Sequence, residues 1–565
     1  MPVSNTPPVS TALTPWDRLW VAARLLTNGD PVFARKRNAR GGLAETGEAC
    51  RQRQAGLLHS WIDKKYGVTQ PLAEAPTAHS FFQSLLADDT ASQTHSPRML
   101  AAVEKAEADL KAPHVGMAFI YGLECKVAPI FKQMTAQGVY VDVPKLTALR
   151  DRELLGEQHA RTTLARAFGE RFNPQATGDL KNFFGSKGMV LHGYSRDDFA
   201  ALKHPLGDAM VQFDKATRLQ GECQRYLLAV DDHGYLHPAW DPIATATGRS
   251  QCYNPYLVGV AKSPELRACF AAPPGYKLGI SDVNALDLRT MAHMSKDKQL
   301  IAAFQSGQDV HSLTAGRIYG KKPEDVTKEQ RNCGKLVNNA AVNNQRAGGL
   351  QHKLAEEYGI IISLGDAKGF QSEFAKMYPD VKAFQDRASQ QAMDRNVTES
   401  RTLNGRRLLL PAYAGDDSYW DRLTGLTTIP TQGTGADGLK RALMRLGPCL
   451  AKRVNPDGKF SSVANFIHDE FVTYHPEETA AEDLKFTEKT ISFSVSEMTA
   501  GQMPYVVESC VGDHWGDKGG HGLSHPKVAA AAPSPLRPPT RDAQHAAARE
   551  VAAAAHLTVP SPAIG

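Results

Sequence analysis

The sequence has few cysteines, and they are not spaced for a metal cluster or a disulfide framework. Its eight cysteines include no Cys-x-x-Cys pair and no Cys/His spacing of the kind that binds zinc. No run of about 18 apolar residues occurs, which argues against a membrane-spanning helix. The N-terminus lacks the basic start and apolar stretch of a secretory signal. We therefore expect reduced thiols and a cytoplasmic protein, in a bacterium or a host cell.

The excess of positive over negative charge is also small. Lys and Arg number 65 against 60 Asp and Glu, a net charge of +5, which permits a nucleic-acid partner without requiring one. With 42% hydrophobic and 22% charged residues, the composition excludes disordered and fibrous classes. A length of 565 residues predicts three or four domains of about 150 residues each.

The pattern changes along the chain. Residues 116–235 show mostly helical periodicity, with arginines interspersed. From Leu278 onwards strand and helix patterns alternate, so the fold class predicted for the C-terminal half is α+β. Residues 518–565 are rich in Ala and Pro, which predicts a disordered tail. Its small basic excess leaves loose attraction to DNA open as an alternative to a solvated extension.

Two acids stand at strand ends. Asp282 follows an alternating strand pattern and precedes a helical one, and Asp469 lies between two β-prone runs, which predicts a hairpin tip. If the fold brings them together, their oxygens could hold two Mg²⁺ ions about 3.5 to 4 Å apart, an arrangement that serves phosphoryl or nucleotidyl transfer. The alternative for either acid alone is a turn or cap residue.

A stripe of polar residues is spaced by four. Arg331, Lys335, Asn339 and Asn343 would line one helical face. Arginine binds phosphate with two parallel hydrogen bonds from its planar guanidinium, and lysine binds it through a single compact charge. A helical face with both residues is therefore suited to a triphosphate. The alternative is an ordinary solvated face.

Residues 116–517 resemble the polymerase part of a family A (DNA polymerase I-like) DNA polymerase. The matching motifs occur in the family's order: Thr-Gly-Arg at 247–249, motif A from Asp282 to Arg289, a histidine at His311, motif B with Arg331 and Lys335, Gln-Gly-Thr at 432–434, and His-Asp-Glu at 468–470. The resemblance implies a right-hand architecture of palm, fingers and helical thumb.

The resemblance also implies a domain division. It predicts a thumb-containing helical region at 116–245 and a catalytic core of palm and fingers at 246–517. Residues 1–115 are too few for the family's proofreading domain and lack an Asp-x-Glu motif, so we expect no intact exonuclease there and a remnant that serves as a spacer. The compact size is compatible with a phage replication enzyme or a bacterial repair enzyme.

The catalytic roles come from the same resemblance. Asp282 and Asp469 are expected to bind both metal ions, Mg²⁺ with Mn²⁺ as a substitute, together with the carbonyl of Val283. His311, Arg331 and Lys335 are expected to bind the triphosphate, with Lys335 also a candidate for protonating the leaving pyrophosphate.

The expected partners are primer-template DNA and deoxynucleoside triphosphates. Arg249 and Gln432 are assigned to the primer-template near the nascent pair, and His468 and Glu470 to the primer terminus. No membrane partner is expected, and the sequence leaves open which replication accessory proteins, if any, bind the chain.

Four positions depart from the family pattern. Asn339 and Asn343 stand where the family has aromatic side chains, and Asn344 stands where it has the glycine that follows the second of them. The loss of a stacking platform predicts altered nucleoside discrimination. Asparagine is also a poor helix former, which weakens the predicted helix locally. Asp287 stands where the family commonly has a glutamate that helps to exclude ribonucleotides, which predicts weaker sugar discrimination.

The sequence therefore predicts a template-directed DNA polymerase that extends a DNA primer by two-metal-ion nucleotidyl transfer in replication or repair. The alternative is a catalytically impaired relative that binds primer-template DNA, because of the asparagine substitutions. A DNA-binding protein with chance motif matches would not explain why the acids and the cationic stripe occur together.

Overall fold

The computed structural model describes residues 13, 15–28, 47–66, 97–112, 115–191 and 193–518. Residues 519–565 of the predicted tail and much of the predicted exonuclease remnant lie outside these residues. Three helices are described in the remnant region: α1 (Pro15–Leu26), α2 (Gly47–Tyr66) and α3 (Pro97–Lys111). Their apolar side chains form one hydrophobic cluster with Ile120 and Tyr121 of the next helix and with Ala239 and Ile243 further along the chain.

A helical region comes next, as the periodicity predicts. Its elements are α4 (Ala118–Gln137), β1 (Val139–Tyr140), α5 (Val143–Phe168), α6 (Thr177–Gly185), α7 (Arg196–Ala200) and α8 (Pro205–Leu227). α5 and α8 pack against each other along much of their length. The Asp142 carboxylate caps α5 by accepting the backbone N–H of Lys145, which satisfies a donor that a helix start leaves unpaired.

The chain then enters the catalytic half through short strands. These are β2 (Tyr235–Leu236), β3 (Ala239–Asp241) and β4 (Gln251–Tyr253), followed by α9 (Pro264–Arg267) and the long strand β5 (Tyr276–Val283). A block of helices follows: α10 (Leu286–Ser295), α11 (Lys298–Gln305), α12 (Val310–Tyr319), α13 (Lys328–Val342), α14 (Ala347–Tyr358), α15 (Leu364–Met377) and α16 (Pro379–Met393).

The remaining elements return to the sheet. They are β6 (Glu399–Arg401), β7 (Arg407–Leu409), α17 (Asp416–Thr428), a π-helical turn (Ile429–Gly433), α18 (Thr434–Leu450), β8 (Ser462–Ile467), β9 (Glu470–Pro476), α19 (Ala480–Ser496) and β10 (Val507–Gly512). The central sheet is antiparallel in the order β10-β5-β9-β8. β8 and β9 are buried throughout, although polar residues such as Asn465, Thr473 and His475 interrupt their apolar sequences.

The predicted α+β class is confirmed. All seven cysteines whose side chains the structure describes are free thiols. None of the described helices is long and apolar enough to cross a membrane.

Candidate active site

The sheet brings the two predicted acids to neighbouring strands. Asp282 lies near the end of β5, and Asp469 lies in the two-residue turn between β8 and β9, as the sequence predicts. Asp282 pairs in register with Glu470, and the backbone N–H of Val283 donates to the Asp469 carbonyl at 3.1 Å. His468 completes the turn with a φ of 53°, in the left-handed region. The acids therefore meet only through the pairing of β5 with β9.

The site carries surplus negative charge. Burial, together with the charges of Asp282 and Asp287, raises the pKa of Asp469 to about 7. The described residues contain no group of three or more His, Cys, Asp or Glu side chains arranged for a metal. A cation here would rest on two carboxylates and take other ligands from backbone, water or substrate. Carboxylates that repel each other fit a hard divalent ion such as Mg²⁺, which keeps several non-protein ligands.

A lysine contacts Asp282 and the neighbouring Glu470. The Lys518 ammonium donates to both Asp282 and Glu470, and Trp515 Nε1 donates to Glu470 Oε1 at 2.6 Å. Both residues come from the chain that follows β10. Lys518 is the first residue of the segment predicted as a tail, so the sequence offered no reason to place it here.

Four of the predicted residues form a continuous hydrogen-bonded chain. The Arg249 guanidinium donates to both Asp287 carboxylate oxygens at 2.8 and 3.1 Å and to Gln432 Oε1 at 3.1 Å. Gln432 Nε2 in turn donates to Asn343 Oδ1 at 2.5 Å. Gln432 belongs to the π-helical turn, a rare geometry that is frequent at functional sites. The chain connects the end of α13 to the start of α10, next to Asp282.

Hydrogen bonds between residues 245 and 249 close the loop that carries Arg249 into a tight turn. The backbone N–H groups of Arg249 and Gly248 donate to the hydroxyl and the carbonyl of Thr245, both at 2.9 Å. Gly248 has a φ of 78°, and a Cβ there would lie 2.5 Å from Cζ of Arg406. Only glycine therefore fits this turn against that guanidinium.

The polar stripe lies on α13, with one difference at its end. Lys335, Asn339 and Asn343 are exposed, and Arg331 is partly exposed and pairs with Asp309 at 2.5 Å. The helix itself ends at Val342, so Asn343 caps it and does not belong to it. The asparagines do not prevent the helix, which a capping box at its N-terminus supports.

His311 is held in one tautomer behind the stripe. The Asn338 amide, which also accepts from Thr314 Oγ1 at 2.8 Å, lies 2.8 Å from His311 Nδ1. Because that amide nitrogen can only donate, Nδ1 must accept, and the ring proton is assigned to Nε2. Burial lowers the pKa of His311 to about 4, so the ring is neutral at pH 7. Asn338 has a sequence signal that was missed: a polar residue on the apolar face of a helix.

A buried charge cluster lies behind the Arg249 loop. Glu124 of α4 contacts both Arg406 and Lys440, and Arg406 Nε donates to Asp437 Oδ1 at 2.7 Å. These four side chains are at most 1% exposed, and their charges cancel. Arg406 is the guanidinium that contacts Gly248. The cluster is not predictable from the sequence, because no local pattern marks these charged residues as buried.

Comparison with known proteins identifies DNA polymerase I sequences among the relatives of this chain. The profile of DNA polymerase family A matches residues 152–517. DNA polymerase I of Aquifex aeolicus is 30% identical over 283 residues, which are 50% of this chain and 46% of the relative. The thermostable DNA polymerase I of Thermus thermophilus is 29% identical over 413 residues, 70% of this chain and 48% of the relative. The chain thus spans about half the length of these relatives.

A solved structure shares the fold. The POL domain of Pol1 from M. smegmatis, solved in complex with DNA primer-template and dNTP, superposes with a TM-score of 0.67 and 21% sequence identity. The match covers 88% of this chain and 81% of that one. This likeness confirms the predicted right-hand polymerase architecture. With the family profile matching well over half of its length, the chain belongs to DNA polymerase family A.

Proposed function

We propose that this chain is a template-directed DNA polymerase that adds deoxynucleotides to the 3′ end of a DNA primer. The observation that carries the proposal is the pairing of β5 with the β8–β9 hairpin, which sets Asp282 beside the Asp469 turn. Family membership supports the same reaction. We further propose the division made from the sequence, with palm and fingers at 246–517 and the thumb within 116–245.

The acids are the proposed metal ligands. Asp282, Asp469 and the Val283 carbonyl would hold two Mg²⁺ ions, with Mn²⁺ as an expected substitute. Bound there, the metal pair supplies charge neutralisation and an activated primer hydroxyl. The charges of Asp282 and Asp287 already oppose ionisation of Asp469, which supports a cationic occupant.

The α13 face is the proposed triphosphate site. Arg331 would donate hydrogen bonds from its guanidinium to phosphate oxygens, and Lys335 would donate a proton to the departing pyrophosphate. A neutral His311 with its proton on Nε2 would donate a hydrogen bond to the same phosphates. Asp309 keeps the Arg331 guanidinium oriented, since its two oxygens accept from Nε at 2.5 Å and from Nη2 at 3.4 Å, which leaves Nη1 for a phosphate oxygen.

Sugar and base contacts are proposed for the start of α10 and the end of α13. Arg249 holds the Asp287 carboxylate on both oxygens, so the side chain has a fixed place beside the incoming sugar. Asn339 and Asn343 would face the base, where an amide offers hydrogen bonds in place of a stacking surface. These residues would set nucleoside discrimination.

The DNA side of the site is proposed to include Arg249, Gln432, His468 and Glu470. An open cavity of about 760 Å³ adjoins the Arg249 loop, and Arg225, Tyr226, Gln251 and Tyr256 are among its lining residues. Tyr256 is exposed, as expected of an aromatic side chain available to a sugar or base. Extension of a labelled primer-template with Mg²⁺ and the four deoxynucleoside triphosphates tests the proposal directly.

Affinity for primer-template DNA is expected to fall steeply with salt. A groove that neutralises several phosphates releases counterions, so a loss on the order of a thousandfold is expected between about 50 and 200 mM salt. Fluorescence anisotropy with a labelled duplex measures it. A nearly flat salt response would count against a phosphate-lined groove.

Removal of the Lys518 ammonium is expected to tighten divalent-ion binding. In Lys518→Met, Asp282 and Glu470 lose the cation that now neutralises them, so Mn²⁺ should bind about tenfold more tightly. Electron paramagnetic resonance of free Mn²⁺ measures the affinity without activity.

Lys277→Met is the matched control for that measurement. Lys277 also bridges two carboxylates, Glu477 and Asp513, but near the opposite end of β5. Its variant should leave Mn²⁺ affinity unchanged, whereas Asp282→Asn should weaken it. Unchanged or weaker binding in Lys518→Met would show that the lysine does not compete with the ion.

A second candidate function is binding of primer-template DNA without efficient extension. It is favoured by the amide side chains that stand in place of aromatic ones at Asn339 and Asn343. The same extension assay separates the two, because a binding protein would retain salt-sensitive affinity and leave the primer unextended.

A further inference from the structure

The turn that follows α1 contacts the loop that carries Arg249. The Asn28 side-chain amide donates to the carbonyls of Ala246, at 3.0 Å, and Arg407, at 2.7 Å. The Asn28 carbonyl accepts the backbone N–H of Leu409 at 2.9 Å. One asparagine thus ties the loop to strand β7, and it lies well before the part of the chain that the family profile matches.

Neighbouring residues of α1 strengthen this connection. The Arg24 guanidinium donates to the carbonyl of Ile243 and lies 3.7 Å from the Asp241 carboxylate. In return, Arg407 donates to the Leu26 carbonyl at 3.3 Å. The end of the helix therefore holds both the approach to the Arg249 loop and the β6–β7 hairpin.

A displacement of Ala246 would also displace Arg249. Ala246 lies inside the closed turn in which Thr245 accepts the backbone N–H groups of Gly248 and Arg249. The turn has no spare room behind it, because Gly248 contacts the buried Arg406 guanidinium. A shift of the turn would therefore move the Arg249 side chain away from Asp287 and Gln432.

We propose that Asn28 is a positioning residue: it fixes the 245–249 turn so that Arg249 meets the primer-template in one orientation. The inference rests on the proposed function for the role of Arg249. It gives the N-terminal helices a part in substrate binding, where the sequence suggested only a spacer.

A double-mutant cycle tests the inference. Asn28→Ala is expected to weaken primer-template affinity about fivefold to tenfold, the size that one or two neutral hydrogen bonds carry. In the Arg249→Ala background the same change should have little further effect, because Asn28 acts through Arg249. Asn396→Ala, at an exposed asparagine in the turn after α16, is the control and should bind like the wild type.

Hydrogen–deuterium exchange gives a readout that does not need activity. Asn28→Ala should increase deuterium uptake in peptides covering 244–250 and leave the β8–β9 hairpin unchanged. Unchanged uptake in 244–250, or an equal loss of affinity with and without Arg249, would overturn the inference. A wild-type protein that neither binds nor extends primer-template would instead refute the proposed function, and the exchange data would still decide whether Asn28 fixes the turn.

Discussion

Asp469→Asn is expected to reduce primer extension by about a thousandfold or more. The amide keeps the shape of the side chain but removes the negative charge from a pair of acids proposed to hold both metal ions, and metal-ion stabilisation of a transition state is worth several kcal/mol. Single-turnover extension with saturating nucleotide measures the loss. Primer-template affinity, measured by anisotropy, should change little.

The stability of the same variant separates a catalytic effect from a folding effect. Because the pKa of Asp469 is raised to about 7, its ionisation costs the folded protein stability as the pH rises from the usual carboxyl range towards 7. Without divalent ions at pH 8, Asp469→Asn should therefore unfold at or above the wild-type temperature. Asp457→Asn, at an exposed turn before β8, should extend primers normally. Activity of Asp469→Asn within tenfold of the wild type would contradict the assignment.

Glu124→Gln is expected to lower the free energy of unfolding by about 3 to 5 kcal/mol, the cost of leaving a buried charge without its partner. Glu124 is the carboxylate that Arg406 and Lys440 share, and all three side chains are at most 1% exposed. The neutral amide would leave two buried cations facing Asp437 alone. Urea unfolding followed by circular dichroism measures the change.

The charge balance of the cluster provides the control. Adding Lys440→Met to Glu124→Gln leaves one cation, Arg406, with one anion, Asp437, and should recover much of the lost stability. Glu356→Gln removes an exposed carboxylate on α14 and should change stability by less than about 1 kcal/mol. Equal stability of Glu124→Gln and the wild type would show that the cluster does not depend on its net charge.

Local patterns predicted the elements that carry the acids. The alternation before Asp282 and the two β-prone runs around Asp469 are the strand β5 and the β8–β9 hairpin of the structure. The spacing of four also places Lys335 and Asn339 on one exposed helical face. Strands, hairpins and helical faces depend on a few neighbouring residues, so the periodic spacing of apolar and polar residues is sufficient to predict them.

Contacts between distant segments were not predictable in this way. Lys518 reaches Asp282 and Glu470 only because β10 pairs with β5, whereas the sequence places it at the start of an Ala/Pro-rich tail. Asn28 reaches Ala246 across the whole thumb-containing region because α1 packs in one hydrophobic cluster with Ala239 and Ile243. A smaller difference between prediction and structure is that α13 ends one residue before Asn343. The spacing of four predicted Asn343 on the helix, but asparagine favours the capping position at a helix end.

The position of Lys518 also has a practical use in crystallography. Magnesium scatters X-rays about as weakly as an ordered solvent molecule, so a difference map seldom identifies it with certainty. Here the long side chain between Asp282 and Glu470 would have to swing aside when a soaked ion arrives. The changed position of the Lys518 side chain in the electron density would then show that the metal site is occupied, even where the density of the ion itself is ambiguous.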